Sequence, residues 1–117
     1  MIRAKRVYDA PTEDDGYRVL IDRLWPRGVS KDRAKINLWL KEIAPSSELR
    51  DWFSHDPAKW EEFKKRYGEE LQSKGDLLDR IRLLEKEKVA VTLVYSSREE
   101  RYNNAMALLG VLKTKKD

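Results

Sequence analysis

The chain has 117 residues, of which 40% are hydrophobic and 39% charged, and its formal net charge is +4. This length and hydrophobic content predict one domain, 1–117, with a single core, and the nearly balanced charges predict a solvated surface and not disorder. The lack of cysteine excludes disulfides, thiolate metal sites and cysteine nucleophiles, and the single histidine excludes the usual histidine-rich metal centres.

The distribution of charge bears on partners and location. Residues 1–35 carry nine basic and six acidic side chains, and residues 113–117 carry three basic and one acidic, which leaves the middle near −1. Because no long basic face stands out, the charge pattern does not favour a nucleic-acid partner. With no signal-peptide core and no apolar run of membrane-spanning length, we expect a cytoplasmic protein without membrane contact, metal or cofactor.

The first part of the chain is typical of short strands joined by loops. The pattern predicts a half-solvated strand over 2–8, a loop over 9–16, a strand buried on both faces over 17–24, a turn or short helix over 29–35, and a strand or a helix over 36–43. Pro26 and Gly28 require the second strand to stop near Trp25. If that strand stays regular to its end, Asp22 and Arg23 point to opposite faces and do not form a salt bridge.

The second part predicts three longer helices around one strand. Ser46 or Ser47 caps a short helix that ends near Phe53, and Asp56-Pro57 opens a helix whose apolar stripe is Trp60, Phe63, Tyr67 and Leu71. Gly75 is predicted to end that helix, and Asp76 to begin another with the stripe Leu77, Ile81 and Leu84. Residues 89–95 form the clearest, central strand. Ser97 and Glu100 fit a capping box for a last helix with the stripe Tyr102, Ala105, Met106, Leu109 and Leu112, and 113–117 is a solvated tail.

Strands separated by helical segments predict an α/β fold, a compact layered domain with a small, mostly parallel sheet flanked by helices. In such sheets ligands bind beyond the carboxyl ends of the strands. Both apolar strands end in polar clusters, and arginine offers a planar fork that matches phosphate or carboxylate. The sequence therefore predicts a site for a small anionic ligand, phosphate-bearing or nucleotide-like.

The candidate residues come from these strand ends and from the segments near them. The candidate ligand-binding residues are Arg23, Trp25, Arg27, Lys31, Ser96, Ser97, Arg98 and Asn103. If the domain is an enzyme, Asp22 or His55 is the candidate proton carrier.

Each assignment has a structural alternative. Arg23 and Arg27 are equally well explained as structural groups that pair with carboxylates or cap carbonyls, and the four tryptophans are more typical of core residues. Ser97 fits a helix cap, and His55 a polar loop residue. For the whole protein, the alternatives are a nucleic-acid-associated or regulatory binding protein and a non-catalytic structural or interaction module.

The chain resembles the domain of unknown function 488 family, in its short single-domain, prokaryotic branch. The resemblance covers essentially the whole chain, and its carriers include Ile21-Asp-Arg-Leu-Trp-Pro-Arg-Gly28, Trp39-Leu-Lys41, Ala44-Pro-Ser46, His55-Asp-Pro57 and Asn103-Asn-Ala105. It implies a compact α/β domain without an established biochemical role, and it adds Arg50 to the positions of the family pattern. Longer relatives tend to carry a cysteine after the last strand, where this chain has Tyr95-Ser-Ser97, so thiol chemistry is not carried over.

Overall fold

A four-stranded sheet lies at the centre of the structure. The computed structural model describes residues 1–114. The strands are β1 (Ile2–Arg6), β2 (Tyr17–Leu20), β3 (Leu38–Trp39) and β4 (Val91–Tyr95), and the helices are α1 (Lys31–Ala34), α2 (Ser47–Phe53), α3 (Trp60–Leu71), α4 (Gly75–Glu87) and α5 (Asn104–Thr114). The strand order is β1-β4-β2-β3, and every pair is parallel. The predicted α/β fold class is confirmed.

Strand β4 occupies the centre because it has no charged side chain and is buried throughout. It pairs with β1 from Ile2–Val91 onward and with β2 from Tyr17–Val91 onward. The ladder continues past the strand ends, because the Ile21 N–H donates to the Val94 carbonyl at 3.1 Å. All four carboxyl ends therefore lie at one edge of the sheet.

The two faces of the sheet are covered differently. Val91, Leu93 and Tyr95 alternate onto the face that packs against α2, α3, α4 and α5, where most of the core lies. Val94 and Leu20 point to the other face, which carries a smaller cluster covered by α1 and the loop before it. The helices thus lie mainly on one side of the sheet.

Several predicted boundaries are wrong for local reasons. Strand β2 ends at Leu20, four residues before the predicted end, so the strand alternation does not extend to Asp22 and Arg23. The ambiguous stretch 36–43 forms β3 and then a 3₁₀ turn, Lys41–Ile43. Helix α2 begins as predicted, with the Ser46 hydroxyl accepting the Leu49 N–H.

The later helices also differ from the prediction. Gly75 begins α4 and does not end the helix before it, since a 3₁₀ turn, Gln72–Lys74, follows α3. Helix α5 begins at Asn104, because the Asn103 side chain, and not Ser97, accepts a hydrogen bond from its first turn. Met106 is exposed, and Leu108 is buried in the core. Lys113 and Thr114 belong to α5, and the rest of the predicted tail lies outside the described residues.

The expectation that the tryptophans belong to the core is met in part, since Trp52 and Trp60 pack against the main core cluster and Trp25 against the smaller one. Trp25, Trp52 and Trp60 are only half-buried, and Trp39 is 37% exposed. Basic side chains cover some of these rings: the Arg66 guanidinium lies 4.3 Å from the Trp52 ring centre. Within residues 1–114, no helix is both long and apolar enough to cross a membrane.

A buried ion cluster lies on the face opposite α2–α5. The Asp15 carboxylate is 2.6 Å from Arg18 and 3.0 Å from Lys5, and Asp15 and Arg18 are both almost fully buried. Burial alone would raise the pKa of Asp15, but hydrogen bonds from Thr12 and Lys5 lower it below its ordinary value. The cluster therefore anchors the loop before β2 to the sheet.

We expect Asp15→Asn to lower the free energy of unfolding by about 3–5 kcal/mol, because it leaves Arg18 buried without its counter-charge. Because the pKa of Asp15 is lower in the folded protein than in the unfolded chain, its contribution to the free energy of unfolding is complete above the unfolded pKa of about 3.9. That contribution is lost as the pH falls through the pKa of the folded protein. Urea unfolding of both proteins at pH 6 and at pH 2.5 measures this. A difference of the same size at both pH values would contradict the assignment.

Candidate functional site

A cavity of about 360 Å³ opens at the carboxyl edge of the sheet. The segments that follow all four strands contribute to it: Tyr8 after β1, Asp22 and Arg23 after β2, Ala44 and Pro45 after β3, and Ser96 and Ser97 after β4. The remaining wall comes from the loop 24–27, from Arg50, Phe53 and His55, and from Phe63 and Asn104. We call this the strand-end cavity, and its position is the one in which parallel sheets usually bind ligands.

Asp22 joins three of the elements around the strand-end cavity. Its carboxylate accepts the Ser96 N–H at 2.9 Å, the Ser96 hydroxyl at 2.7 Å and the Asn104 amide at 3.3 Å. The Trp39 indole N–H donates to the Asp22 carbonyl at 2.7 Å. Among residues 1–114, no basic side chain lies within 4 Å of this carboxylate, so it is held by neutral donors.

Arg23 lies beside Asp22, and both line the same cavity because β2 has already ended. The condition under which they would point to opposite faces, a strand that stays regular to its end, is therefore not met, and the two residues form no ion pair within the described chain, as expected. Arg23 donates from Nη2 to the carbonyls of Ala44 and Pro45 at 3.1 and 3.3 Å. Part of its guanidinium thus has the structural role considered as the alternative.

Carbonyl groups of residues 43–45 also accept hydrogen bonds from side chains other than Arg23. Lys74 Nζ donates to the Ala44 carbonyl at 3.2 Å, and the Tyr67 hydroxyl to the Ile43 carbonyl at 2.6 Å. Burial raises the pKa of Tyr67, which keeps this hydroxyl protonated. Burial, and then the nearby charge of Arg23, lowers the pKa of Lys74. The Glu70 carboxylate, which accepts the Ser46 N–H at 2.8 Å, lies at the same segment, so both signs of charge are present at this end of the cavity.

Two further arginines line the strand-end cavity and are exposed. The Arg27 guanidinium donates to no side chain or carbonyl among residues 1–114, while its backbone carbonyl accepts the Tyr8 hydroxyl at 2.9 Å. Arg50 lies 3.8 Å from Asp51, whose carboxylate is 77% exposed, and such a surface pair is weak. In the described part of the chain, no carboxylate lies within 4 Å of Arg23 or Arg27. The cavity wall thus carries three arginines and one carboxylate, Asp22.

His55 stands at the mouth of the cavity on an unusual backbone. Its φ is +55°, directly after Ser54 at +47°. Its Nδ1 lies 3.0 Å from the Tyr102 carbonyl, and because a carbonyl only accepts, we assign the ring hydrogen of the neutral form to Nδ1. Nε2 then faces the Ser97 hydroxyl at 3.4 Å. Ser97 Oγ also accepts the Glu99 N–H at 3.0 Å, so it caps a turn and not the last helix.

The structure brings together most, but not all, of the residues singled out from the sequence. The predicted residues that line the strand-end cavity are Asp22, Arg23, Trp25, Arg27, His55, Ser96 and Ser97. Lys31 in α1 and Arg98 are exposed and lie outside its wall. Asn103 is fully buried and bonds to the Glu99 carbonyl and the Met106 N–H. Roles in binding or proton transfer for these residues stay predictions.

Three polar cavity residues were missing from the predicted site. Tyr8 lies two residues past β1, Asn104 begins α5, and Arg50 projects from α2. Arg50 and Asn104 had a signal, since both belong to the family pattern. Within residues 1–114, no three histidine, aspartate or glutamate side chains come together as a metal-binding group.

Comparisons with known proteins give one consistent assignment. The family model described as "Inactive DUF488-N3 subclade" matches residues 1–117. The uncharacterised protein Rv3073c of Mycobacterium tuberculosis is 41% identical over 111 residues, which cover 95% of this chain and 92% of the relative. The uncharacterised protein YeaO of Escherichia coli is 39% identical over 113 residues, 97% of either chain. No solved structure gives a significant match.

The free energy of unfolding of single variants can distinguish the structural role of Arg23 from the exposed position of Arg27. We expect Arg23→Ala to lower the free energy of unfolding by about 1–3 kcal/mol, because the carbonyls of Ala44 and Pro45 lose a charged donor. Arg27→Ala is the matched control and should change it by less than about 0.5 kcal/mol, since that side chain is exposed. Urea denaturation of both variants measures this. Equal losses would show that Arg23 has no special structural role.

Proposed function

Because the chain belongs to the DUF488 family, and matches its subclade described as inactive, we propose that the domain binds a small anionic ligand in the strand-end cavity without transforming it. The observation that carries the proposal is the set of three arginines on the cavity wall, Arg23, Arg27 and Arg50. In the described chain, Arg23 and Arg27 have no carboxylate within 4 Å, so their charge is available to an incoming anion.

The architecture supports a preformed site. Arg23 is fixed by the carbonyls of Ala44 and Pro45, and its Nε and Nη1 donate to no group among residues 1–114. Asn104 at the start of α5 adds an amide and the positive end of a helix. A cavity of about 360 Å³ is near the lower limit for small-molecule pockets, which suits a single phosphate-bearing or nucleotide-like compound.

Catalysis is a second candidate because His55 Nε2 faces the Ser97 hydroxyl. The distance of 3.4 Å is longer than the contact between a base and its nucleophile, about 2.6–3.2 Å. The Ser97 hydroxyl is also engaged by the Glu99 N–H. Together with the description of the subclade as inactive, these contacts favour binding over chemistry.

The proposal is tested by thermal unfolding with inorganic phosphate, sugar phosphates and nucleotides, each against its unphosphorylated counterpart. At about 100 times its Kd, a ligand adds about 2.7 kcal/mol, a rise in Tm of roughly 5–10 °C. We expect such a rise for at least one phosphorylated compound, and its near loss in the double variant Arg27→Gln/Arg50→Gln.

Arg98→Gln is the matched control, since Arg98 is exposed but lies outside the cavity wall. It should retain the full rise in Tm. If no anion raises the Tm of the unmodified protein, or if the double variant responds as the unmodified protein does, the proposal is wrong.

A compound that binds should also remain chemically unchanged in the presence of the protein. We expect ³¹P NMR to show it unchanged after prolonged incubation, and His55→Gln to leave its affinity within about threefold, because His55 lies at the mouth and donates to Tyr102. Conversion of the compound that disappears in His55→Gln or Ser97→Ala would instead establish the catalytic candidate.

A further inference from the structure

We propose that the anion is the phosphate of a nucleoside monophosphate, whose ring lies against the aromatic wall of the strand-end cavity. This inference rests on the anion binding proposed above and narrows it to one chemical class. It is argued from two features of the cavity other than its arginines. Aromatic side chains lie next to Arg27, and the Asp22 carboxylate can accept a further hydrogen bond.

Two aromatic side chains fix the loop that carries Arg27. The Tyr8 hydroxyl donates to the Arg27 carbonyl at 2.9 Å, and the Trp25 indole N–H donates to the Val29 carbonyl at 2.6 Å. Because its only polar hydrogen is already used, the Trp25 side chain offers the cavity no hydrogen-bond donor, and its ring is held in place by the smaller core cluster and by Trp39 at 5.5 Å. A ring and a guanidinium on one short loop are suited to a ligand with a flat ring and an anionic group.

The rest of the wall does not suit a bare anion. Leu24, Pro26 and Phe53 line the cavity together with the aromatic rings, and Leu24 is 69% exposed. Inorganic phosphate would leave most of the space of about 360 Å³ filled with water against apolar side chains. A base covers such a wall, and stacking on aromatic side chains strengthens binding.

Asp22 selects against ligands that are anionic throughout. Its carboxylate accepts three hydrogen bonds, from the Ser96 N–H and hydroxyl and from the Asn104 amide. A carboxylate has about four acceptor sites, so one remains for a ligand donor. Its charge repels a second anionic group and attracts a hydroxyl or N–H hydrogen, and a nucleoside monophosphate carries ribose hydroxyls and, in AMP, GMP and CMP, an amino group.

The experiment is isothermal titration calorimetry at constant ionic strength with AMP, GMP, CMP and UMP against ribose 5-phosphate and inorganic phosphate. We expect at least one nucleotide to bind about tenfold or more tightly than ribose 5-phosphate, the gain that stacking of one base gives. In Trp25→Leu this ratio of affinities should fall below about threefold, and because the variant also frees the loop that carries Arg27, the affinity for ribose 5-phosphate should fall as well.

The matched control is Trp52→Leu, a half-buried tryptophan outside the cavity wall, which should keep the nucleotide advantage. If Trp25→Leu does not fold, as judged by its urea transition, Tyr8→Ala replaces it, because Tyr8 is 47% exposed. Loss of the nucleotide advantage in the variant used supports the inference.

The two proposals fail in different ways. If ribose 5-phosphate and phosphate bind through Arg27 and Arg50, but no nucleotide binds more than threefold tighter, the ring inference is wrong and anion binding stands. An advantage that persists in the folded cavity variant also overturns the inference. If none of the compounds binds, both proposals are wrong.

Discussion

The carboxylate of Asp22 is the contact on which the strand-end cavity depends. It lies just beyond β2 and receives hydrogen bonds from the residue after β4 and from the first residue of α5. These two residues are 74 and 82 positions away from Asp22 along the chain, and the parallel pairing of β2 with β4 brings them to one edge. Without this carboxylate, the Ser96 N–H and hydroxyl would lose their acceptor.

The arginines around this carboxylate differ in their surroundings. Arg23 holds the carbonyls that follow β3, and Lys74 donates to one of the same carbonyls. Arg27 and Arg50 are exposed on the wall of the same cavity, which leaves them available to a ligand. Arg18 on the other face of the sheet, by contrast, is buried and paired with Asp15 at 2.6 Å.

The sequence predicted which residues follow the two apolar strands, and the structure supplied the strand order. Two largely apolar segments that both end in polar residues indicate buried strands, and β2 and β4 are parallel neighbours. The cluster of Asp22, Arg23, Ser96 and Ser97 follows from that pairing alone. The α/β class follows in the same way from the alternation of strands and helices.

The rest depended on contacts between distant segments, which no local pattern reports. Arg50 and Tyr8 reach the cavity only because α2 and the end of β1 pack beside it. The Ser97-to-Glu100 spacing resembled a capping box, yet α5 begins at Asn104, and the buried Asn103 side chain caps it. Three of the four tryptophans, Trp39, Trp52 and Trp60, stay partly at the surface under basic side chains.

The most direct test of the central claim is to map binding residue by residue with ¹⁵N NMR, including the Nε–H signals of the arginines, during titration with a phosphorylated compound that raises the Tm. The account predicts that the largest saturable shifts occur at the backbone N–H groups of Ser96, Ser97 and Asn104 and at the side chains of Arg23, Arg27 and Arg50. Shifts centred on exposed basic residues away from the strand-end cavity, such as Arg33 or Lys86, with these signals unmoved, would contradict it.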